Sequence, residues 1–211
     1  MSDQFENRVE AGRLLAKKLE HFRGTDSIVL AIPRGGVPVG AEIARALKLP
    51  LDILLSKKIG HPSNPEFAIG AVSPDSVIVD EHTAVSRSYV DEKTAEIRAL
   101  LNERAKLYRG NRPSPELKGK TVLLIDDGIA TGNTLLILLR MLRKQNPAKI
   151  IVAVPVAPGR SADMIRKECD EFVCLLEPDY FPGVGAFYSD FRQVEDEEVV
   201  TLLRAAAVDE A

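Results

Sequence analysis

The chain has 211 residues, 28% of them charged and 45% hydrophobic, and its 28 Lys and Arg against 31 Asp and Glu leave a net charge of −3. That length and balance predict one globular domain with an elaboration and exclude disorder throughout. A slightly acidic chain offers no broad basic field, which argues against nucleic acid as the main partner and leaves open small anions handled by local basic residues.

No apolar stretch approaches the ~20 residues that a membrane-spanning helix needs, and the opening MSDQFENRVE lacks the basic-then-apolar order of a secretory signal. A cytoplasmic protein with no membrane partner is the expectation. Cys169 and Cys174 have no second Cys or His pair at zinc-ligand spacing and read as buried or incidental thiols.

The chain opens on helix-period residues, with Phe5, Val9, Ala16, Leu19 and Phe22 near one face and Asp3 and Glu6 spaced as a capping box. Gly24-Thr25-Asp26 breaks that pattern before an apolar run at 27–32, which reads as a buried strand. Pro33-Arg34-Gly35-Gly36 follows, then a helix over 37–47 and a strand over 51–55, which together make a βαβ unit. From 56 to 87, lysines, glycines and prolines alternate with short apolar pieces, and the pattern predicts a long loop or a flexible hairpin. A polar helix over 90–108 packs through Ile97, Leu100, Leu101 and Leu107. Beyond it come a strand at 121–125, a helix at 132–145, a strand at 150–154, a helix at 159–168 and a strand at 172–175. Such alternation predicts an α/β fold whose mainly parallel sheet is flanked by helices. Five of the eleven aromatics then fall between Tyr180 and Phe191, marking that stretch as a packing or binding element, and the acidic run at 195–198 reads as a solvated surface.

The densest chemistry lies at the end of the 121–125 strand, where Asp126 and Asp127 precede Gly128-Ile129-Ala130-Thr131-Gly132-Asn133-Thr134 and the start of a helix. In an open α/β sheet ligands collect beyond the carboxyl ends of the strands, and the free N–H groups of a helix N-terminus suit a phosphate. Thr131 and Thr134 add hydroxyl donors. Two carboxylates beside such a nest repel the phosphate itself, so a sugar diol next to it is the partner that fits them. The plain alternative, one aspartate capping a helix, accounts for one acid and not for two.

This segment resembles the signature of the type I phosphoribosyltransferases, in which two acids end an apolar strand and a short turn leads to Thr-Gly-x-Thr. The resemblance implies that Asp126 and Asp127 hold the ribose hydroxyls of phosphoribosyl pyrophosphate and that Ala130, Thr131, Gly132, Asn133 and Thr134 cradle its 5-phosphate. Pro33-Arg34-Gly35-Gly36 resembles the family's pyrophosphate loop, with backbone amides of Gly35 and Gly36 and the guanidinium of Arg34 as donors. A Walker loop is excluded there, since Ala41 and Glu42 stand where Lys and Ser or Thr are required. Lys57 and Lys58, at the same sheet edge, are candidates to neutralise the leaving diphosphate, with one of the two expected in direct contact. The 59–87 segment stands where the family carries a mobile loop, with His61, Glu66, Arg87 and Tyr89 as candidate contributors.

The resemblance further implies one domain over 1–211, with a core at about 25–175 and a small hood built from about 1–24 and 176–200. Tyr180, Phe187 and Tyr188 are the hood's candidates for stacking on a base, against the competing account that these aromatics pack the N-terminal helix onto the core. The implied reaction moves ribose 5-phosphate to a nitrogenous base and releases pyrophosphate. Magnesium is the implied cofactor, Asp126 and Asp127 meeting it indirectly through the bound donor, and a homodimer is the implied assembly. Ala130 stands where the 6-oxopurine enzymes place a general-base Asp, which disfavours hypoxanthine and guanine. The rival reading is a regulatory protein of the same fold that senses phosphoribosyl pyrophosphate; a phosphosugar hydrolase with Asp126 and Asp127 as metal ligands is a third.

Overall fold

The computed structural model describes residues 4–80 and 83–208, and the side chains of all of these except Glu66 and Val208. In chain order the elements are α1 (Arg8–Lys18), β1 (Ser27–Ala31), α2 (Gly36–Leu47), β2 (Leu51–Ile53), β3 (Lys57–His61), β4 (Asn64–Val72), β5 (Val77–Val79) and α3 (Arg87–Arg109). They continue with β6 (Thr121–Ile125), α4 (Asn133–Arg143), β7 (Lys149–Val156), α5 (Gly159–Arg166), β8 (Glu171–Leu176) and α6 (Asp196–Val208).

Five strands form one parallel sheet in the order β2-β1-β6-β7-β8. Helices cover both faces, which is why its central strands are apolar throughout. Val29, Ala31, Leu123 and Ile125 turn to the side of α1, α2 and α6, whereas Ile28, Leu30, Val122 and Leu124 turn to that of α4 and α5. The chain runs outward in one direction from β1 to β2 and in the other from β6 to β8. The order therefore reverses between β1 and β6, the kind of point in such sheets beyond whose strand carboxyl ends ligands bind.

Three expectations change. The 56–87 segment is neither a loop nor a single hairpin: β3, β4 and β5 make an antiparallel sheet in the order β3-β4-β5. It packs against α3 on one side, through Ile59 and Ile69 near Ile97 and Leu101, and against α4 on the other through Ala71. The first helix starts later than the Asp3–Glu6 spacing suggests. Asn7 is its N-cap and accepts from the Glu10 backbone N–H at 3.0 Å, while Glu10 accepts from the backbone N–H of Glu6; Asp3 lies outside the described residues. The acidic 195–198 run is not merely solvated, because it opens α6, which buries Val199 and Leu203 against the core. Acids in a first turn suit the positive end of a helix dipole.

The segment before α1 meets the stretch at 187–190. Phe5 bridges to Tyr188, its N–H donating to the Phe187 carbonyl at 2.8 Å. Among the described residues no helix is long and apolar enough to cross a membrane.

Candidate functional site

The ends of β1 and β6 are tied together by the Ile32 N–H, which donates to the Ile125 carbonyl at 2.8 Å. Both chemistry-bearing segments start there. The Pro33–Arg34 peptide is cis, and Gly35 and Gly36 lie directly against the acid pair. A Cβ on Gly35 would stand 2.0 Å from Asp127 Oδ2, and one on Gly36 would stand 2.7 Å from the Ile125 carbonyl oxygen. Glycine is the residue that permits this approach.

Asp126 Oδ1 accepts from the Asp127 N–H at 2.9 Å. Burial and the neighbouring Asp127 hold its carboxyl well above the usual carboxylate range. Burial raises Asp127 too, with Arg8 pulling the other way. Arg8, in the first turn of α1, reaches Asp127 Oδ2 with Nε and with Nη2, each at 2.8 Å, while its Nη1 donates to the Arg192 carbonyl at 2.8 Å. Its guanidinium lies 3.9 Å from the Phe191 ring centroid. The Tyr188 hydroxyl, kept protonated by burial, donates to the Asp127 carbonyl at 2.6 Å. Arg8 and Tyr188's hydroxyl are thus the groups that fix Asp127. Sequence reasoning missed Arg8, because it belongs to no motif and sits in an ordinary helix start.

The turn after the acids is anchored at both sides. The Ile129 N–H donates to the Val156 carbonyl at 2.9 Å, and the buried Ser161 hydroxyl donates to the Ala130 carbonyl at 2.6 Å. Gly132 caps α4 in the left-handed region at φ 77°, which glycine adopts without strain. Thr131, Asn133 and Thr134 are exposed at the start of α4, where first-turn N–H groups have no intrahelical partner.

β3 begins beyond the carboxyl end of β2, on the same edge. Residues paired across strands share a face, and Lys58 pairs with Ala71 whereas Lys57 pairs with Val72. Ala71 belongs to the apolar cluster of α4; Val72 belongs to that of α3. Lys58 therefore lies on the side of α4, and Lys57 on the side of α3, where its charge acts on Glu96.

The remaining candidates divide. Arg34 points to the start of α6, with Nη1 3.3 Å from Glu195 Oε2. Phe187 and Tyr188 are 8% and 4% exposed, their rings stacked on Phe181 and Phe191 in a cluster with Phe5 and Val156. Phe187 and Tyr188 take part in that packing, whereas Tyr180 is 81% exposed. Tyr89 donates to the Gly60 carbonyl of the small sheet at 2.9 Å, and Arg87 is exposed at the start of α3. His61 sits at the β3–β4 turn, accepting from the Ser63 N–H at 3.2 Å, and the Glu66 side chain lies outside those described. A groove between α2 and α6, lined by Glu42, Arg45, Lys48, Leu202 and Ala206 among others, contains none of the predicted site residues.

A family model for the phosphoribosyl transferase domain matches residues 2–191. The chain belongs to that family. It is 38% identical over 207 residues to "Putative phosphoribosyl transferase Rv0571c" of Mycobacterium tuberculosis, a match that covers 96% of this chain and 47% of the relative. The chain thus spans about half the length of the curated relatives it matches. The crystal structure of TT1426 from Thermus thermophilus is 39% identical with a TM-score of 0.86, covering 95% of this chain and 97% of that one. A hypothetical protein from Neisseria gonorrhoeae, solved with bound ppGpp, shares the fold at 15% identity and a TM-score of 0.50, covering 96% of this chain and 94% of that one.

Proposed function

We propose that this site transfers the ribose 5-phosphate group of phosphoribosyl pyrophosphate to a nitrogenous base and releases pyrophosphate. The observation that carries the reading is the contact of Gly35 with Asp127: it sets an amide-bearing loop against a diacid at the point where the strand order reverses, beside a helix N-terminus.

In this reading the carboxylates of Asp126 and Asp127 accept from the ribose hydroxyls, and Arg8 orients Asp127 for that task. The amides of 130–134 and the hydroxyls of Thr131 and Thr134 hold the 5-phosphate. Gly35, Gly36, Arg34 and Lys58 hold the diphosphate. The bond from the anomeric carbon to the diphosphate oxygen breaks, its electron pair leaving with pyrophosphate, and a bond to the acceptor nitrogen forms. Positive charge develops on the ribose meanwhile, so positioning and preorganised donors at the leaving group carry the rate enhancement.

Magnesium, bound with the donor, supplies electrophilic stabilisation of the diphosphate. Asp126 and Asp127 are hard oxygen donors of the kind it takes. Among the described residues no group of three or more His, Cys, Asp or Glu is arranged to hold a metal. Ala130 places no carboxylate before the Thr-Gly pair, which disfavours a 6-oxopurine acceptor. The homodimer implied by the resemblance is part of the reading, and a monomer by light scattering would remove that part.

The test is pyrophosphate release from phosphoribosyl pyrophosphate and magnesium across a panel of purines, pyrimidines and small amines. Release that depends on one acceptor and is absent in the Asp126→Asn/Asp127→Asn double variant is the expected result. Full activity in that variant would overturn the site, and tight donor binding without release would favour a sensor.

A further inference from the structure

Arg34 does not hang free from the β1–α2 loop. Its Nη1 lies 3.3 Å from Glu195 Oε2 and 3.7 Å from Asp196 Oδ1, at the start of α6. Asp196 in turn is fixed from inside the protein: the hydroxyl of Tyr108, a buried residue near the end of α3, donates to the same Oδ1 at 2.5 Å. Burial and the Asp196 carboxylate push that hydroxyl up to about 12, so it remains a donor across the working range of pH. A relay of three side chains therefore runs from the interior to the loop that abuts Asp127.

We propose that Tyr108 and Asp196 are positioning residues for Arg34, holding its guanidinium by one edge so that its other edge meets the diphosphate of the donor. The proposal rests on the phosphoribosyl reading of the Gly35–Gly36 loop and goes beyond it by assigning a role to α3 and α6, which carry none of the site motifs. The guanidinium is suited to this division, since it presents five N–H donors in a rigid planar fork and can serve a carboxylate and a phosphate at once. The Arg34 side chain is 33% exposed and that of Asp196 is 42% exposed, so the pair sits in water and contributes little stability of its own. Its effect is to order a long side chain before the ligand arrives, which spares that cost on binding.

A latch would behave differently. Carboxylates that merely sequester Arg34 would compete with the diphosphate, and removing them would tighten binding; carboxylates that orient Arg34 weaken binding when removed.

The experiment is calorimetric titration of the full chain with magnesium phosphoribosyl pyrophosphate. Wild type is compared with Arg34→Ala, Tyr108→Phe, Asp196→Ala and the double variant Tyr108→Phe/Arg34→Ala. Tyr108→Phe keeps the buried ring and the net charge, so it isolates the hydroxyl. It is expected to weaken the donor about fivefold, the scale of a partly exposed, pre-ordered contact. In the Arg34→Ala background the same substitution is expected to change nothing, a coupling that a purely structural tyrosine would not show. Equal weakening in both backgrounds, no weakening in either, or tighter binding by Asp196→Ala would overturn the proposal. Wild type that binds the donor in an Arg34-dependent way while Tyr108→Phe is silent would refute the positioning alone. Wild type that fails to bind the donor would refute the phosphoribosyl reading and this proposal with it.

Discussion

Arg8 and Asp127 are joined by two contacts of 2.8 Å to a single carboxylate oxygen, Oδ2, across 119 residues of chain, with side chains only 10% and 15% exposed. The pair clamps the second acid of the strand-end motif to the first turn of α1. A buried carboxylate without its cation is costly, because desolvation remains while the attraction is lost. Arg8→Met is therefore expected to lower stability by about 2–4 kcal/mol, on the order of 5–15 °C in Tm. Adding Asp127→Asn to it is expected to restore part of the loss. Thermal unfolding of the two variants at pH 7 decides the matter, and an unchanged Tm in the single variant would refute the clamp.

The raised Asp126 carboxyl makes a pH prediction with a definite sign. Its proton is held more tightly in the folded protein than in the unfolded chain, where an aspartate titrates near ~3.9. Above that pH the folded state binds the additional proton, so this group's contribution falls as pH rises through its folded pKa and is fully present below the unfolded value. Asp126→Asn removes the titration. The variant is expected to gain Tm over wild type as pH rises above about 4, with no gain below it, and to lose donor binding. A gain that stays constant with pH would contradict this account.

Two glycines of the site are expected to fail in different ways. At Gly35 an added methyl meets Asp127 Oδ2 at 2.0 Å, and Arg8 prevents that oxygen from yielding, so Gly35→Ala is expected to weaken donor binding by on the order of a hundredfold. At Gly132 the nearest atoms to a Cβ are 3.5 Å away, so the cost is the left-handed backbone at φ 77°. Gly132→Ala should lose about 1–2 kcal/mol in urea denaturation. Equal binding losses in the two variants would show that steric approach at Gly35 is not the deciding feature.

The strand register separates the two lysines. Lys58 shares a face with Ala71 and the α4 side, so Lys58→Ala is expected to raise KM for the donor about tenfold through loss of a charge-assisted contact. Lys57 faces α3, and Lys57→Ala should change KM by less than about twofold, as for an exposed pair. Steady-state kinetics on the two variants, once an acceptor is identified, would reverse the assignment if Lys57 proved the more sensitive.

What could be read from the sequence was whatever is local. The five parallel strands announce themselves as short apolar runs, since both of their faces are covered, and the segment from Asp126 to Thr134 carries its strand end, turn and helix start within one stretch. Arg8 could not be found this way, because its partner is fixed only by the folding of α1 over the sheet. β4 was hidden by Pro65 and Gly70, which suppress the strand signal until cross-strand pairing supplies it. α6 is hidden because the acids at its start read as a charged surface, although Val199 and Leu203, four residues apart, mark a buried helical face. Phe187 and Tyr188 were ambiguous for a plainer reason: a ring that packs and a ring that stacks on a ligand have the same letter.

The meeting of α1 and the 188–192 stretch at the diacid also sets an order of events during synthesis. A growing chain delivers the Gly35 loop and then the Asp126–Asp127 pair, and its β7 and β8 can complete the sheet as they emerge. Tyr188, which grips the Asp127 carbonyl, arrives 61 residues after its partner, and Arg192, whose carbonyl anchors Arg8, arrives later still. A nascent chain that stops after β8 would have its scaffold in place around a crowded pair of carboxylates that nothing from the last segment yet secures. The contacts that Tyr188 and Arg192 make with Asp127 and Arg8 therefore form only once the 188–192 stretch has emerged.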